Sequence, residues 1–143
     1  MSYANGAVWW MSAEGGFFVY DGTVKSLPSL VEDFVFSTDG DNLGINLNSR
    51  DVIYSSSNSL YTEINWFYPK SGSDQVDRCV TYNYSENVWT TSSLARTTYQ
   101  DQGVFNAPYA TEYTSTATPV FPEILGITNL YGASIYYAHE VGT

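Results

Sequence analysis

Residues 63–99, EINWFYPKSGSDQVDRCVTYNYSENVWTTSSLARTTY, decide the fold. Ile64 to Tyr68, Arg78 to Tyr84 and Val88 to Ser92 are short runs rich in aromatic and β-branched residues, the composition of β-strands. The polar break from Pro69 to Asp74 holds both Pro and Gly and cannot continue a strand, so it predicts an exposed hairpin loop. The shorter break, Ser85-Glu86-Asn87, suits a tight turn because Asn tolerates positive φ. Three strands joined by two turns are an antiparallel meander. In the middle strand Cys79, Thr81 and Asn83 alternate with Val80, Tyr82 and Tyr84, which predicts one bulky apolar face and one face of smaller groups.

Working outward, the N-terminal part repeats the pattern. Ala7 to Ser12 reads as a strand, Ala13-Glu14-Gly15-Gly16 as a Gly-bearing turn and Phe17 to Tyr20 as a second strand. Asp21-Gly22 then forms a two-residue turn into Thr23 to Leu27. Laid over the first meander, Val8-Trp9-Trp10-Met11 falls on Asn65-Trp66-Phe67-Tyr68, and Tyr20 falls on Tyr82. A partial third copy runs through Asn129 to Gly132 and Ile135 to His139, with Tyr137 in the place of Tyr82. The repeat units are roughly 1–36, 51–101 and 104–143, within a single β-rich domain or propeller fragment. Repeated small sheets of this kind, each unable to bury its faces alone, are the pattern of a β-propeller. The expectation is an all-β, partial propeller-like fold of about two and a half blades.

Between the first two copies, Pro28 precedes Ser29, and Glu32 stands three residues later as in a capping box. Leu30, Val31, Phe34 and Val35 share one side at helical spacing, so a short helix near 29–36 is expected, with a short strand as its rival. Ser37 to Arg50 reads as loop with at most one weak helical turn, and Val52-Ile53-Tyr54 as the strand that opens the next copy. Further on, Thr97 to Gln100 and the Thr- and Tyr-rich stretch from Tyr109 to Thr118 read as strands. Pro119, Pro122 and Gly126 interrupt the next stretch, which suits an edge segment or loop.

Composition bounds the function. The 143 residues are 43% hydrophobic and 17% aromatic but only 14% charged, which argues for a packed core rather than a disordered chain. Fifteen acidic against five basic residues give a net charge of -10, which repels the phosphate backbone of nucleic acid. No long apolar run is present, and the N-terminus lacks a basic region ahead of an apolar stretch, so neither membrane spanning nor export is expected. A single cysteine, Cys79, excludes an intrachain disulfide and predicts a buried, inert thiol.

The segments VWWMS, GGFFVYDGTVKSLPS and VEDFVF, then residues 63–105, then IYYAHEVGT together resemble a family of structural proteins of short-tailed bacteriophages. Its members are described as tail nozzle, tail tubular or packaged-DNA stabilisation proteins. The similarity runs over nearly the whole chain, strongest in Val8 to Phe36 and Glu63 to Phe105, and rests on the order and spacing of the segments. Members of that family are much longer, so the chain resembles a fragment of one. The resemblance implies a non-catalytic virion protein, made in the host cytoplasm, that forms homo-oligomers and contacts other tail or portal proteins. DNA would pass through the ring without specific binding during ejection, and no membrane or cofactor is implied. The alternative is a propeller-like binding module that recognises a glycan or a protein partner.

Chemistry-bearing residues are few. His139-Glu140 has no second histidine and no metal-ligand spacing, so no metal site is expected. Glu14, Asp21, Glu63, Asp101 and Glu140 could supply a hydrolase pair only if two of them lay about 5–9.5 Å apart; turn and surface roles account for them, and no catalytic residue is expected. Ser55-Ser56-Ser57 and Thr114-Ser115-Thr116 read as exposed strand or loop. The residues expected to matter are aromatic packing or interface positions: Trp9, Trp10, Tyr20, Trp66, Tyr68, Tyr82, Trp89 and Tyr137. Should the chain be a glycan-binding module, Trp66 is the expected contact. Because neighbours on a strand face opposite ways, one of Trp9 and Trp10 should be buried and the other should lie on the second face.

Overall fold

The computed structural model describes residues 1–37, 44–103, 106–113 and 133–137, with the backbone alone at 113 and 133–137. The fold is all-β apart from two short helical turns, and its strands form three antiparallel sheets. Sheet I contains β1 (Ser2–Ala4), β2 (Ala7–Met11), β3 (Phe17–Tyr20) and β4 (Val24–Leu27) in sequential order. Sheet II contains β5 (Tyr54–Asn58), β6 (Glu63–Tyr68), β7 (Arg78–Asn83) and β8 (Val88–Ser92), again in sequential order. Sheet III contains β9 (Thr98–Gln100), β10 (Tyr109–Tyr113) and β11 (Ala133–Tyr137). Each sheet is thus a meander, and β1 lies beside β5, which lies beside β9. The first strands cluster, whereas the last strands of sheets I and II, β4 and β8, are largely exposed.

The turns arise from local chemistry. Asn5 and Gly6 both have positive φ, 53° and 72°, the requirement of the tight primed turn that joins β1 to β2. Gly15 and Gly16 carry the positive φ values, 104° and 91°, between β2 and β3, where Ser12 N–H donates to the Gly16 carbonyl. Asn87 at φ 57° makes the β7 to β8 turn, as its side chain allows.

Sheet II is the middle layer, which explains why the run from Ile64 to Tyr68 is buried at every position. Ile64, Trp66 and Tyr68 join Val80 and Tyr82 in a core with Ala7, Trp9, Phe17 and Val19 of sheet I. On its opposite face Phe67 and Cys79 form a second core with Val76, against which Tyr54, Leu94 and Tyr99 pack. A strand covered on both faces shows a continuous apolar run rather than alternation. The two faces expected of β7 are present: Val80 and Tyr82 meet sheet I, while Cys79 and Thr81 share the other face with Asn65, whose Oδ1 accepts from Thr81 Oγ1 at 2.6 Å.

Several expectations are corrected. Strand β1 is an addition to the strands read from composition, although Asn5-Gly6 is the residue pair that a tight hairpin demands. The loop after β3 spans Asp21, Gly22 and Thr23, because Tyr20 pairs with Val24. The helix α1 is Glu32–Phe36, one turn, with Val31 at its N-cap and no side-chain cap, so the capping box is not made. Ser29 Oγ instead accepts from Val31 N–H. Since the helix begins after Leu30, that side chain is 98% exposed, and Val31, Val35 and Phe36 are the residues of this segment that reach the core. The stretch before β5, Leu47–Val52, is a pair of 3-10 turns kinked at Ser49, so the strand opens at Tyr54 rather than at Val52. Ser55, Ser56 and Ser57 lie within β5 and are half-buried or buried, not exposed.

The Pro69 to Asp74 loop is tied down rather than free. Pro69 is fully buried, and the Asp77 carboxylate accepts from Lys70 N–H at 2.8 Å. Strand β9, at the end of the 51–101 unit, pairs with β10 and so belongs to the third sheet. The readings at 38–43, 104–105, 114–132 and 138–143, including Thr114-Ser115-Thr116 and His139-Glu140, lie outside the described residues.

Candidate functional site, an aromatic seam between sheets

Sheets I and II meet through a continuous set of rings. Phe17 lies at its centre, with ring centroids 4.8 Å from Trp66, 4.7 Å from Trp89 and 5.7 Å from Phe36. Trp89 in turn lies 4.6 Å from Tyr82 and 5.9 Å from Trp66, and Trp9 lies 5.8 Å from Tyr82 and 5.9 Å from Tyr84. Tilted and offset contacts at these distances add to the area that each ring buries. The polar ends of two rings are satisfied within this seam: Trp9 Nε1 donates to the Ala4 carbonyl at 3.0 Å and Tyr82 Oη to Asn87 Oδ1 at 2.8 Å.

Of the eight aromatic residues singled out in the sequence, Trp9, Trp66, Tyr68, Tyr82 and Trp89 come together between sheets I and II. Trp10 and Tyr20 do not, because alternation places them on the outer face of sheet I. Trp10 is half-buried, stacked on Phe18 at 5.6 Å, and Tyr20 is 48% exposed. Tyr137 pairs with Tyr109 in the β10–β11 ladder through its backbone. The expected division of Trp9 and Trp10 between two faces holds. The overlay of Trp9 on Trp66 does not. Tyr20 pairs with Val8 as Tyr82 pairs with Ile64, so Val8 matches Ile64 and the true counterpart of Trp66 is Trp10. A one-residue slip in a strand exchanges its two faces, which is why the overlay sets a buried ring against an outer one.

Sequence reasoning missed Phe17, although a bulky residue opening a strand directly after Gly15-Gly16 was the available signal. It also missed the second seam. Tyr54 stacks on Phe67 at 4.9 Å, Tyr99 lies 5.8 Å from Phe67, and Tyr54 Oη donates to the Arg96 carbonyl at 2.9 Å. The buried Arg96 also pairs with Glu112 of sheet III, its Nη1 3.1 Å from Oε2. The arginine is 2% exposed and the glutamate 25%, so the pair is shielded from water mainly on the arginine side.

Asp101 fastens sheet III to sheet II. Its carboxylate accepts from Ser59 N–H at 3.0 and 3.1 Å, from Ser59 Oγ at 3.1 Å, from Ser57 Oγ at 3.3 Å and from Gln102 N–H at 2.7 Å. Replacing Asp101 with Ala removes these bonds, and because Ser59 is exposed and its donors return to water, the expected cost is about 0.5–1.5 kcal/mol, read as a lower urea midpoint. Asp101→Asn, which keeps one acceptor oxygen, should lose less. An Ala variant as stable as the parent would remove Asp101 from this role.

The chemistry of reactive groups is quiet. Burial pushes the Cys79 thiol up from 9.0 to about 12 and the Tyr68 phenol up from 10.0 to about 12. The hydroxyls of Tyr54 and Tyr99 are also raised by burial. These groups are held neutral in the fold but ionise at ordinary values when unfolded. The contribution to stability is therefore complete below about pH 9, and that of Cys79 and Tyr68 is lost as pH rises through about 12. An alkaline titration followed by circular dichroism should show the unfolding midpoint in urea falling steadily above about pH 9; a midpoint constant from about pH 8 to 11.5 would contradict the burial of these side chains.

Asp21 is engaged by Lys25 at 2.6 Å, and the hydrogen bond from Lys25 lowers its pKa. A cleft of about 430 Å³ beside sheets II and III is lined by Asp51, Val52, Tyr54, Gln75, Val76 and Tyr99, with a single carboxylate among them. Among the described residues no group of three or more His, Cys, Asp and Glu is placed to hold a metal ion, and no helix is long and apolar enough to cross a membrane. No protein-family model matches the chain, and no curated protein matches it.

Proposed function

We propose that this chain is a structural component of a short-tailed phage particle, part of a tail nozzle or head-to-tail connector that forms or lines the DNA channel. The observation that carries the reading is the stack of three meanders whose first strands, β1, β5 and β9, lie side by side. Successive propeller blades would likewise gather their inner strands at an axis and leave their last strands at a rim, which is what this order supports. The order of the aromatic segments resembles the phage tail family, and the seam residues Phe17, Trp66, Trp89 and Tyr82 give such a body its rigidity.

The work is mechanical: packing and self-assembly, with no reaction and no cofactor. A wall that must let DNA slide gains from not binding phosphate, and a net charge of -10 serves that end. Other tail or portal proteins would be its neighbours. Gold-labelled antibody against the chain should decorate the single tail vertex of intact particles. Label spread over the capsid, or confined to unassembled material, would overturn the assignment.

A second reading draws on the outer-face rings of Trp10, Phe18 and Tyr20, which could serve a binding module as a platform for a glycan. Trp66, the contact expected from the sequence, cannot take that role because it is 1% exposed. Glycan-array binding that disappears in Trp10→Ala would favour this reading over the structural one.

A further inference from the structure

The cleft beside sheets II and III has a chemistry of its own. Its walls are apolar: Val52 and Val76 line it together with the rings of Tyr54 and Tyr99. Val76 is buried, and Tyr54 is stacked on Phe67, so it lines the cleft with the part that Phe67 leaves uncovered. At about 430 Å³ the space is in the range that holds a small organic molecule. Its walls come from three separate stretches, 51–54, 75–76 and 97–99, and they are tied to one another. Tyr99 packs on Phe67 beside Tyr54, and the Asp77 carbonyl accepts from Leu94 N–H at 3.1 Å.

The polar groups left over on the lining decide the class of ligand. Thr97 and Thr98 also face the cleft, but their hydroxyls are engaged by Thr111, Oγ1 to Oγ1 at 2.9 and 2.8 Å. The Tyr54 hydroxyl is engaged by the Arg96 carbonyl at 2.9 Å. The Asp51 carboxylate, the Gln75 amide and the Tyr99 hydroxyl make no hydrogen bond or ion pair among the described residues. Those groups are too few for a sugar ring, most of whose hydroxyls would lose water without gaining a partner.

Charge narrows the class further. Asp51 is the single charged residue on the lining. The adjacent cation, Arg50, lines a separate groove with Met11, Ile45 and Leu47, and the buried Arg96 is paired with Glu112 at 3.1 Å. Burial first, and then the charges of Asp101 and Glu63, push the Tyr99 hydroxyl up, which marks a negative field at that wall. An anion is repelled here, whereas a cation gains from Asp51 and from the aromatic rings together.

We propose that this cleft binds a small organic monocation, an ammonium ion on an apolar body, with the charge beside Asp51 and the body against Val52, Val76, Tyr54 and Tyr99. Selection rests on charge and ring contact rather than on many hydrogen bonds. Affinity is therefore modest, about millimolar, and falls as salt is added. The inference does not depend on the tail assignment.

The test compares three probes that share one body and differ in charge: phenethylamine, phenethyl alcohol and phenylacetate. Amide chemical shifts of the isotope-labelled chain are followed by NMR as each is added. Phenethylamine should give saturable shifts at 51–54, 75–76 and 97–99 and bind about tenfold more tightly than the alcohol, and phenylacetate should give none. Asp51 is exposed, so its replacement spares the core. Asp51→Asn should bring the amine close to the alcohol, and Asp51→Lys should transfer the preference to phenylacetate. Equal binding of amine and alcohol overturns the proposal, as do shifts that are absent or lie elsewhere, or an amine affinity unchanged in Asp51→Asn. Tighter binding of acetyl-lysine amide also overturns it, since the occupant would then be the lysine side chain of a partner rather than a free amine.

Discussion

Replacing Trp66 with Ala is expected to be the most damaging single substitution in the chain. The indole is 1% exposed on a strand covered on both faces, and it stacks against Phe17 and Trp89. Truncation of a fully buried large aromatic removes its transfer free energy and leaves a cavity that rigid strands cannot close, a cost of about 3–5 kcal/mol. That is comparable with the entire stability of a marginal domain. The Trp66→Ala chain should accumulate unfolded or aggregated, and where it folds its urea midpoint should fall sharply. Trp10→Ala, the same change at the structurally matching position on the outer face, should cost far less. Similar losses at the two positions would mean that sheet I does not cover sheet II as described.

Phe17→Ala is the second. Phe17 is fully buried and is the ring through which sheet I touches Trp66, Trp89 and Phe36 together. Its loss is expected to cost about 3–5 kcal/mol, with two local signatures. Water reaching Trp66 and Trp89 should shift their fluorescence to longer wavelength. Amides of α1, held to the core by Val35 and Phe36, should exchange faster while those of β7 keep most of their protection. Unchanged fluorescence would place Phe17 outside the seam.

The parts of the fold legible in the sequence are those whose signals are local. The meander of sheet II is readable because its strands carry strong β composition and its turns hold Gly or Asn where positive φ is needed, as Asn87 shows. The split of Val80 and Tyr82 from Cys79 and Thr81 is readable because side-chain period in a strand is two. The failures depend on partners distant in sequence. The face on which Trp10 lies is fixed by its pairing with Phe18, and neighbouring tryptophans make a one-residue slip invisible in composition. Leu30 has the helical spacing of a core residue, yet the helix starts too late to bring it round. Asp101 is visible in the sequence only as a carboxylate, since its partners Ser57 and Ser59 lie in and just after β5, more than forty residues earlier. Phe17 escapes notice for the same reason: its value lies in three rings that the chain supplies from elsewhere.

These features share one physical theme. Sheet II is stable because both its faces are covered by aromatic and apolar side chains. On the proposed reading as a tail component, this packing of sheet on sheet would be what the chain contributes to the particle.

The most direct measurement is the copy number of this chain in gradient-purified particles, by quantitative mass spectrometry against isotope-labelled peptides spanning Glu63 to Arg78. A structural tail component should be present at a fixed copy number per portal ring that does not change with further purification. Its loss from the particles, with the chain recovered only from the soluble fraction of the lysate, would contradict that role.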